Sequence, residues 1–322
     1  MSTSPVVLLH TNKPADTEAL VREHHPDLSI YTCDSYTALP SMLDSTKAEV
    51  VYSVRFAGTP DFPREAILKA KEVKWISVGG SGTDHLQSWD TNKIQVTNAA
   101  GVAADMMAEY VLGCLLSFRL SLRDFHQAQN EARWMEGQVS PIKGSTALVL
   151  GLGKTGCAVA RVFKSIGMQV LGTRARPEDT PCVDEVHSPD HLSQLLPRAD
   201  VIVCTLPLLE STRSILSTAH FALLPSHCVL IDVSRGGVVD ETALLNALDN
   251  KQLAGAALDV FNQEPLPQDH PFWQMQNVIV TPHCSSVYAG WELNSAEMFA
   301  HNLVRYRRGE QLHNIVDPAR GY

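Results

Sequence analysis

Short apolar runs separated by longer amphipathic stretches set the rhythm of the first hundred residues. VVLLH ending at His10, LSIYTC ending at Cys33, EVVYSV ending at Val54, VKWISVGG ending at Gly80 and IQVTN ending at Asn98 each have the length of a buried strand. Between them, stretches such as Thr17 to Glu23 and Ala66 to Glu72 mix apolar and charged positions as a surface helix does. Strand-length apolar runs alternating with helical ones predict βα units and a parallel sheet covered on both faces. A stretch from about Ala103 to Ala132, with Met106, Tyr110, Leu112 and Leu116 among its apolar residues, predicts one long helix leading into a second domain. There the rhythm restarts at Thr146 with TALVLG, MQVLGTR, ADVIVCTLP, HCVLIDVS, LAGAALDV and NVIVTPH. Trp291 to Arg308 reads as a helix that returns to the first domain, followed by a terminal segment from Asn314 to Tyr322. The expected organisation is α/β throughout, with a discontinuous first domain (1–100 and 288–322), a second domain (101–287) and a cleft between them.

Composition changes this picture little but narrows the function. At 322 residues the chain suits two domains, and 44% hydrophobic with 19% charged residues is ordinary for a globular protein. A net charge of -9 disfavours nucleic acid or an anionic membrane as the main partner. The seven cysteines are scattered without a CxxC pair, which suits reduced thiols and a cytoplasmic location. The start of the chain reads as a first strand rather than a signal peptide, and no apolar run reaches the ~18 residues of a membrane span. His24 and His25 fall at a polar helix end, and no His/Cys/Asp/Glu group has metal-ligand spacing, so no metal is expected. A serine-hydrolase elbow, GxSxG, is missing from the sequence.

The strongest local motif is GLGKTG, with Gly151, Gly153 and Gly156 standing after a buried run and opening a helical one. In that context the first glycine permits the turn, the second admits a pyrophosphate to the backbone, and the third lets helix pack on strand. Lys154 and Thr155 complete the loop, and both domains are expected to be Rossmann-like. The next strand ends at Gly172-Thr173-Arg174-Ala175-Arg176, where an NAD-binding chain usually carries an acid for the ribose 2′-hydroxyl. Two arginines flank the position instead, and guanidinium suits a 2′-phosphate, so NADP(H) is the expected preference with NAD(H) possible.

Three ionisable residues follow at strand-end strings: Arg235 in IDVSRGG, Glu264 in LDVFNQEPLP and His283 in VTPHCSS. A guanidinium can clamp a 2-keto acid, an imidazolium can protonate its carbonyl, and a carboxylate can hold that imidazole charged. Singly, each has a plain structural alternative as a surface or loop charge, and their joint order is what carries weight. Gly80-Ser81-Gly82 is either a simple strand-to-helix turn or a row of backbone N–H groups facing an anion.

Taken in order, GGSGTDH, VTNAAGVAADMMAEYVLG, GLGKTG, LPLLEST, IDVSRGGVVDE, LDVFNQEPLP and TPH resemble the D-isomer-specific 2-hydroxyacid dehydrogenases over essentially the whole chain. The paired arginines, FNQEPLP and the terminal VDPARGY resemble the glyoxylate and hydroxypyruvate reductase A branch. The resemblance implies Arg235 on the substrate carboxylate and carbonyl, His283 as general acid and Glu264 bonded to the far imidazole nitrogen. It places Ser81 and Gly82 at the substrate carboxylate, Asp259 at the nicotinamide carboxamide, and Leu206 and Pro207 beneath the adenosine. Arg55, Phe56 and Trp134 are candidates for the substrate pocket or, for Trp134, a partner subunit. The implied reaction is hydride transfer from NADPH to a small 2-keto acid, giving the D-2-hydroxy acid, in a homodimer joined through its nucleotide domains. Bulkier 2-keto acids such as phenylpyruvate are an alternative substrate class. From another class, the corepressors called C-terminal-binding proteins share this scaffold and a comparable residue set. Length argues against a phosphoglycerate dehydrogenase with an appended regulatory domain, and Glu264 against a formate dehydrogenase, which would carry Gln there.

Overall fold

The computed structural model describes residues 4–56, 59, 61–137, 139–318 and 320. The chain divides into two compact units, Met1–Val102 with Tyr288–Tyr322, and Ala103–Val287.

In the first unit the order is β1 (Val7–His10), α1 (Pro14–His24), β2 (Ile30–Cys33), α2 (Leu39–Thr46), β3 (Val50–Ser53), α3 (Arg64–Lys69), β4 (Trp75–Val78) and β5 (Gln95–Asn98). The five strands are parallel, in the order β2-β1-β3-β4-β5. Side chains alternate across a strand, so continuous apolar runs fill two faces at once. Leu8 of β1 joins one core layer with Leu43, Ile67 and Ile76, whereas Val7 and Leu9 join the other with Trp75 and Tyr52.

The second unit contains α4 (Ala104–Arg119), α5 (Leu122–Asn130), β6 (Thr146–Leu150), α6 (Lys154–Ser165), β7 (Gln169–Thr173), β8 (Glu185–His187), α7 (Leu192–Leu195), β9 (Val201–Cys204), α8 (Thr218–Phe221), β10 (Val229–Asp232), α9 (Glu241–Asp249), β11 (Gly255–Leu258) and β12 (Val278–Val280). Its seven parallel strands run β12-β11-β10-β9-β6-β7-β8, so the order reverses between β6 and β9. Ligands of such doubly wound sheets bind at that reversal, beyond the carboxyl ends of the strands. β6 feeds both faces, Leu148 and Leu150 into one core layer and Ala147 and Val149 into the other.

The last helix, α10 (Trp291–Arg307), lays Ala296, Phe299 and Leu303 on the first unit's sheet beside Trp75 and Val50. Beyond it Ile315 bridges Thr97 antiparallel, and Val316 donates its N–H to the Val96 carbonyl at 2.8 Å.

Two expectations about elements need correction. The stretch expected as one helix from 103 to 132 is two, because Ser121 takes a left-handed conformation (φ 48°) and interrupts the ladder. β8 was not foreseen: it is three half-buried residues, Glu-Val-His, with no apolar run to announce it. All seven cysteines are free thiols. Among the described residues no helix is long and apolar enough to cross a membrane.

Candidate active site

The loop after β6 has the geometry of a dinucleotide cradle. Gly151 adopts φ +99°, and a Cβ there would lie 2.9 Å from Leu206 in the loop after β9. Gly156 sits so close to strand β6 that a Cβ would come within 2.0 Å of the Gly151 carbonyl oxygen. Gly153 is the opposite case: nothing lies within 4 Å of where its Cβ would be. It is also the N-cap of α6 and supplies no side-chain cap, so the first N–H groups stand at the helix's positive end without one. Thr205 ties the two loops together, its hydroxyl donating to the Gly151 carbonyl at 2.6 Å. Lys154 is exposed and Thr155 half-buried at the helix start, and Leu206 and Pro207 are half-buried alongside. These features fit a pyrophosphate-bearing cofactor at the reversal between β6 and β9.

At the end of β7, no carboxylate stands between Thr173 and Arg176. Arg174 forms an ion pair with Glu178 at 2.6 Å, and Arg176 is exposed. The acid nearest the first arginine is therefore already engaged with it.

The three candidate residues, Arg235, Glu264 and His283, are assembled on the carboxyl side of the same sheet. His283 Nδ1 lies 2.8 Å from Glu264 Oε2, and the Phe261 N–H donates to Glu264 Oε1 at 3.0 Å. Burial opposes ionisation of Glu264, but the bond to His283, its charge, the Phe261 N–H and the charge of Arg235 together outweigh it. The carboxyl is held below its ordinary range. Arg235 follows β10 and is half-buried, with Nη1 donating to the Ser234 carbonyl at 2.7 Å. Gly236 explains how the Arg235 and Glu264 loops meet: a Cβ on it would stand 1.9 Å from the Phe261 carbonyl oxygen, so only glycine lets the two backbones touch.

His283 itself has φ 52°, a left-handed conformation uncommon for a residue with a side chain. Asp259 sustains it. Its carboxylate is 1% exposed and accepts from the Thr281 hydroxyl (2.6 Å), the Cys284 N–H (2.8 Å) and the Ser285 N–H (2.9 Å). Tyr110 of α4 bonds the Thr281 hydroxyl from the other side at 2.7 Å. This clamp was missed in the sequence, where Asp259 was read only as a cofactor contact, because the partners sit 22 to 26 residues away with no local signature. Asp232 was missed as well: fully buried at the end of β10, it takes two bonds from Ser234 on Oδ1, its side-chain and backbone donors, and so shapes the turn into Arg235.

In the first unit, the loop after β4 is anchored by the Asn98 amide on the Ser81 carbonyl (2.7 Å), by Ala99 N–H on the Gly80 carbonyl and by the Ser295 hydroxyl on the Gly79 carbonyl. Ser81 is exposed and Gly82 half-buried there. Arg55 is exposed, while Phe56 stacks on Tyr36 with ring centres 4.6 Å apart and lies 4.7 Å from His10, as a packed aromatic does. Trp134, in the second unit, is 91% exposed.

A glycine cradle at a sheet reversal and an Arg/Glu/His group on the same strand ends define a dinucleotide-dependent α/β oxidoreductase. The sequence profile of the D-isomer specific 2-hydroxyacid dehydrogenase NAD binding domain matches residues 112–285, and the chain belongs to that family. It is similar to a glyoxylate reductase of Korarchaeum cryptofilum, 30% identical over 269 residues that make up 80% of each chain. Among solved structures, a D-isomer specific 2-hydroxyacid dehydrogenase from Xanthobacter autotrophicus Py2, in complex with NADPH and MES, superposes with TM-score 0.85. It is 30% identical, with 99% of this chain and 100% of that one covered. An NADPH-dependent glyoxylate/hydroxypyruvate reductase from Sinorhizobium meliloti, in complex with NADP and sulfate, gives TM-score 0.83 at 25% identity, covering 99% and 100%. The protein is thus an NAD(P)-dependent 2-hydroxyacid dehydrogenase.

Proposed function

We propose that the protein reduces a small 2-keto acid, of the glyoxylate or hydroxypyruvate kind, to the D-2-hydroxy acid with NADPH, using His283 as general acid. The observation that carries the proposal is the 2.8 Å contact between His283 Nδ1 and Glu264, with the charge of Arg235 acting on the same carboxylate. Because Nδ1–H is committed to Glu264, Nε2 is the atom that gives a proton to the carbonyl oxygen in reduction and takes it back in oxidation. Arg235 holds the substrate carboxylate and carbonyl through its fork. The nicotinamide cofactor supplies the hydride when bound. Asp259 Oδ2 accepts one bond and keeps capacity for the carboxamide of that ring, while Leu206 and Pro207 underlie the adenosine.

NADPH preference rests on Arg174 and Arg176 standing where an acid would bind a ribose hydroxyl. Arg174→Asp is expected to invert the ratio of NADPH to NADH efficiency, and Glu178→Gln, which releases Arg174 from its ion pair, to raise it several-fold. An unchanged ratio in both variants would remove the argument. A homodimer through the nucleotide domains, supported by the family resemblance, and a cytoplasmic location, supported by the seven scattered cysteines, belong to the same proposal.

The test is initial-rate oxidation of NADPH and NADH with glyoxylate, hydroxypyruvate, pyruvate and phenylpyruvate in parallel. Rapid NADPH-dependent turnover of the two small substrates supports the proposal, and preference for phenylpyruvate would move the substrate class. Tight cofactor binding without turnover would shift the reading to a cofactor-sensing binding protein. His283→Ala should cut turnover by about 10² to 10⁴ while leaving cofactor affinity intact, and full activity would refute the assigned acid.

A further inference from the structure

We propose that His24, Glu297 and His301 form a surface site for a borderline divalent transition metal, of the zinc class, on the first unit. His24 Nε2 lies 3.0 Å from Glu297 Oε1, and His301 Nε2 lies 3.3 Å from the same oxygen. One ligand atom from each residue can be chosen so that all three fall within 4.8 Å of one another. Imidazole nitrogens bound at about 2.0–2.1 Å and a carboxylate oxygen at about 2.0–2.2 Å around one tetrahedral ion stand roughly 3.3 Å from each other. The two separations to the Glu297 oxygen match that spacing, and the two imidazoles, within 4.8 Å, need only draw together onto the ion. Two imidazoles and one carboxylate favour zinc, cobalt, nickel or copper over magnesium or calcium, which take all-oxygen sets.

The supporting scaffold is firm. Glu297 and His301 are four residues apart on α10 and so share a face, while His24 is in the last turn of α1. Between them, His25 Nε2–H donates to the Ala300 carbonyl at 2.9 Å, fixing the end of α1 against α10. The nearby cation, Arg307, is paired with both carboxylate oxygens of Asp27 at 3.0 and 2.5 Å, which offsets its charge near the site. A simple imidazole–carboxylate pair accounts for either contact singly, but the site brings two imidazoles onto one oxygen. At 30%, 39% and 64% side-chain exposure the three residues leave outward positions for water, so exchangeable rather than permanent occupancy follows. A bound ion would cross-link the helix after β1 to the helix that closes the unit 270 residues later, and would stabilise the fold by binding it alone. The sequence concealed this group because His24 is separated from its partners by nearly the whole chain.

The experiment is titration of the metal-free, full-length protein with Co²⁺, followed by displacement with Zn²⁺. The expected result is one equivalent of Co²⁺ with visible ligand-field bands and no thiolate charge-transfer absorption. His24→Gln and His301→Gln should each weaken it by about tenfold or more. Zn²⁺ should also raise the melting temperature of the parent and not of either variant. Absence of saturable 1:1 binding, or equal binding by parent and both variants, would overturn the site. So would a thiolate band, since Cys182 is exposed and the free thiols are competing ligands. Both substitutions fall on solvent-facing positions, and circular dichroism of the variants checks that they fold.

Discussion

The three glycines of GLGKTG differ in what they do, and the difference is measurable. Gly156→Ala would drive a methyl into a backbone carbonyl 2.0 Å away, a forced overpacking that costs about 1–3 kcal/mol or more. Gly153→Ala meets no protein atom within 4 Å, so it should leave the melting temperature within a degree or two of the parent. It should nonetheless weaken cofactor binding, because the second glycine of such a loop lets the backbone approach a pyrophosphate and a methyl there would hold it off. Melting curves with cofactor titrations on both variants check this, and equal loss of stability in the two would contradict it. At this scale Gly151, Arg235, Glu264 and His283 stood out in the sequence as candidates, since each carries chemistry that few residue types supply. Gly236 was not, because its necessity comes from Phe261, 25 residues on, and only the folded backbone shows their approach.

At the scale of elements, the apolar runs located eleven strands because buried parallel strands have no solvent face to interrupt them. β8 escaped for the converse reason, lying at the edge of its sheet with half-buried residues. The break at Ser121 also escaped, since apolar residues continue on both sides of it. The loop between β12 and residue 287 is organised by one buried carboxylate, Asp259. Asp259→Asn would keep the shape but set an amide donor against a backbone donor on at least one side. Loss of that bond should cost about 1–3 kcal/mol of stability. Turnover should fall more than cofactor affinity does, because His283 is two residues from Thr281 and next to Cys284. Full turnover with unchanged stability in this variant would show that the clamp does not position His283.

Across the whole molecule, one buried group in each unit makes stability respond to acid in opposite senses. Burial lowers His10 of β1 from its ordinary 6.5 to about 4. As pH falls between those values the unfolded chain takes a proton that the folded one refuses, so stability drops by up to about 3 kcal/mol. In the second unit, burial raises Asp232 from 3.8 to about 6, against the opposing bonds from Ser234. Here the folded state takes the proton first, so stability rises by a comparable amount as pH falls from about 6 to about 4. Chemical unfolding at pH 4, 5, 6 and 7 should therefore show a shallower acid loss in His10→Asn and a steeper one in Asp232→Asn. Parallel curves for both variants and the parent would rule the two groups out. By itself the sequence determined the βα rhythm, the cofactor loop and the candidate site residues, because burial period, glycine geometry and proton chemistry are local properties of residues. The tertiary structure alone decided that His283 meets Glu264, that Asp259 clamps the loop that carries His283, that Asp232 and His10 are buried, and that His24 faces Glu297 and His301. Those are contacts between residues far apart in the chain, and packing rather than local spacing brings them together.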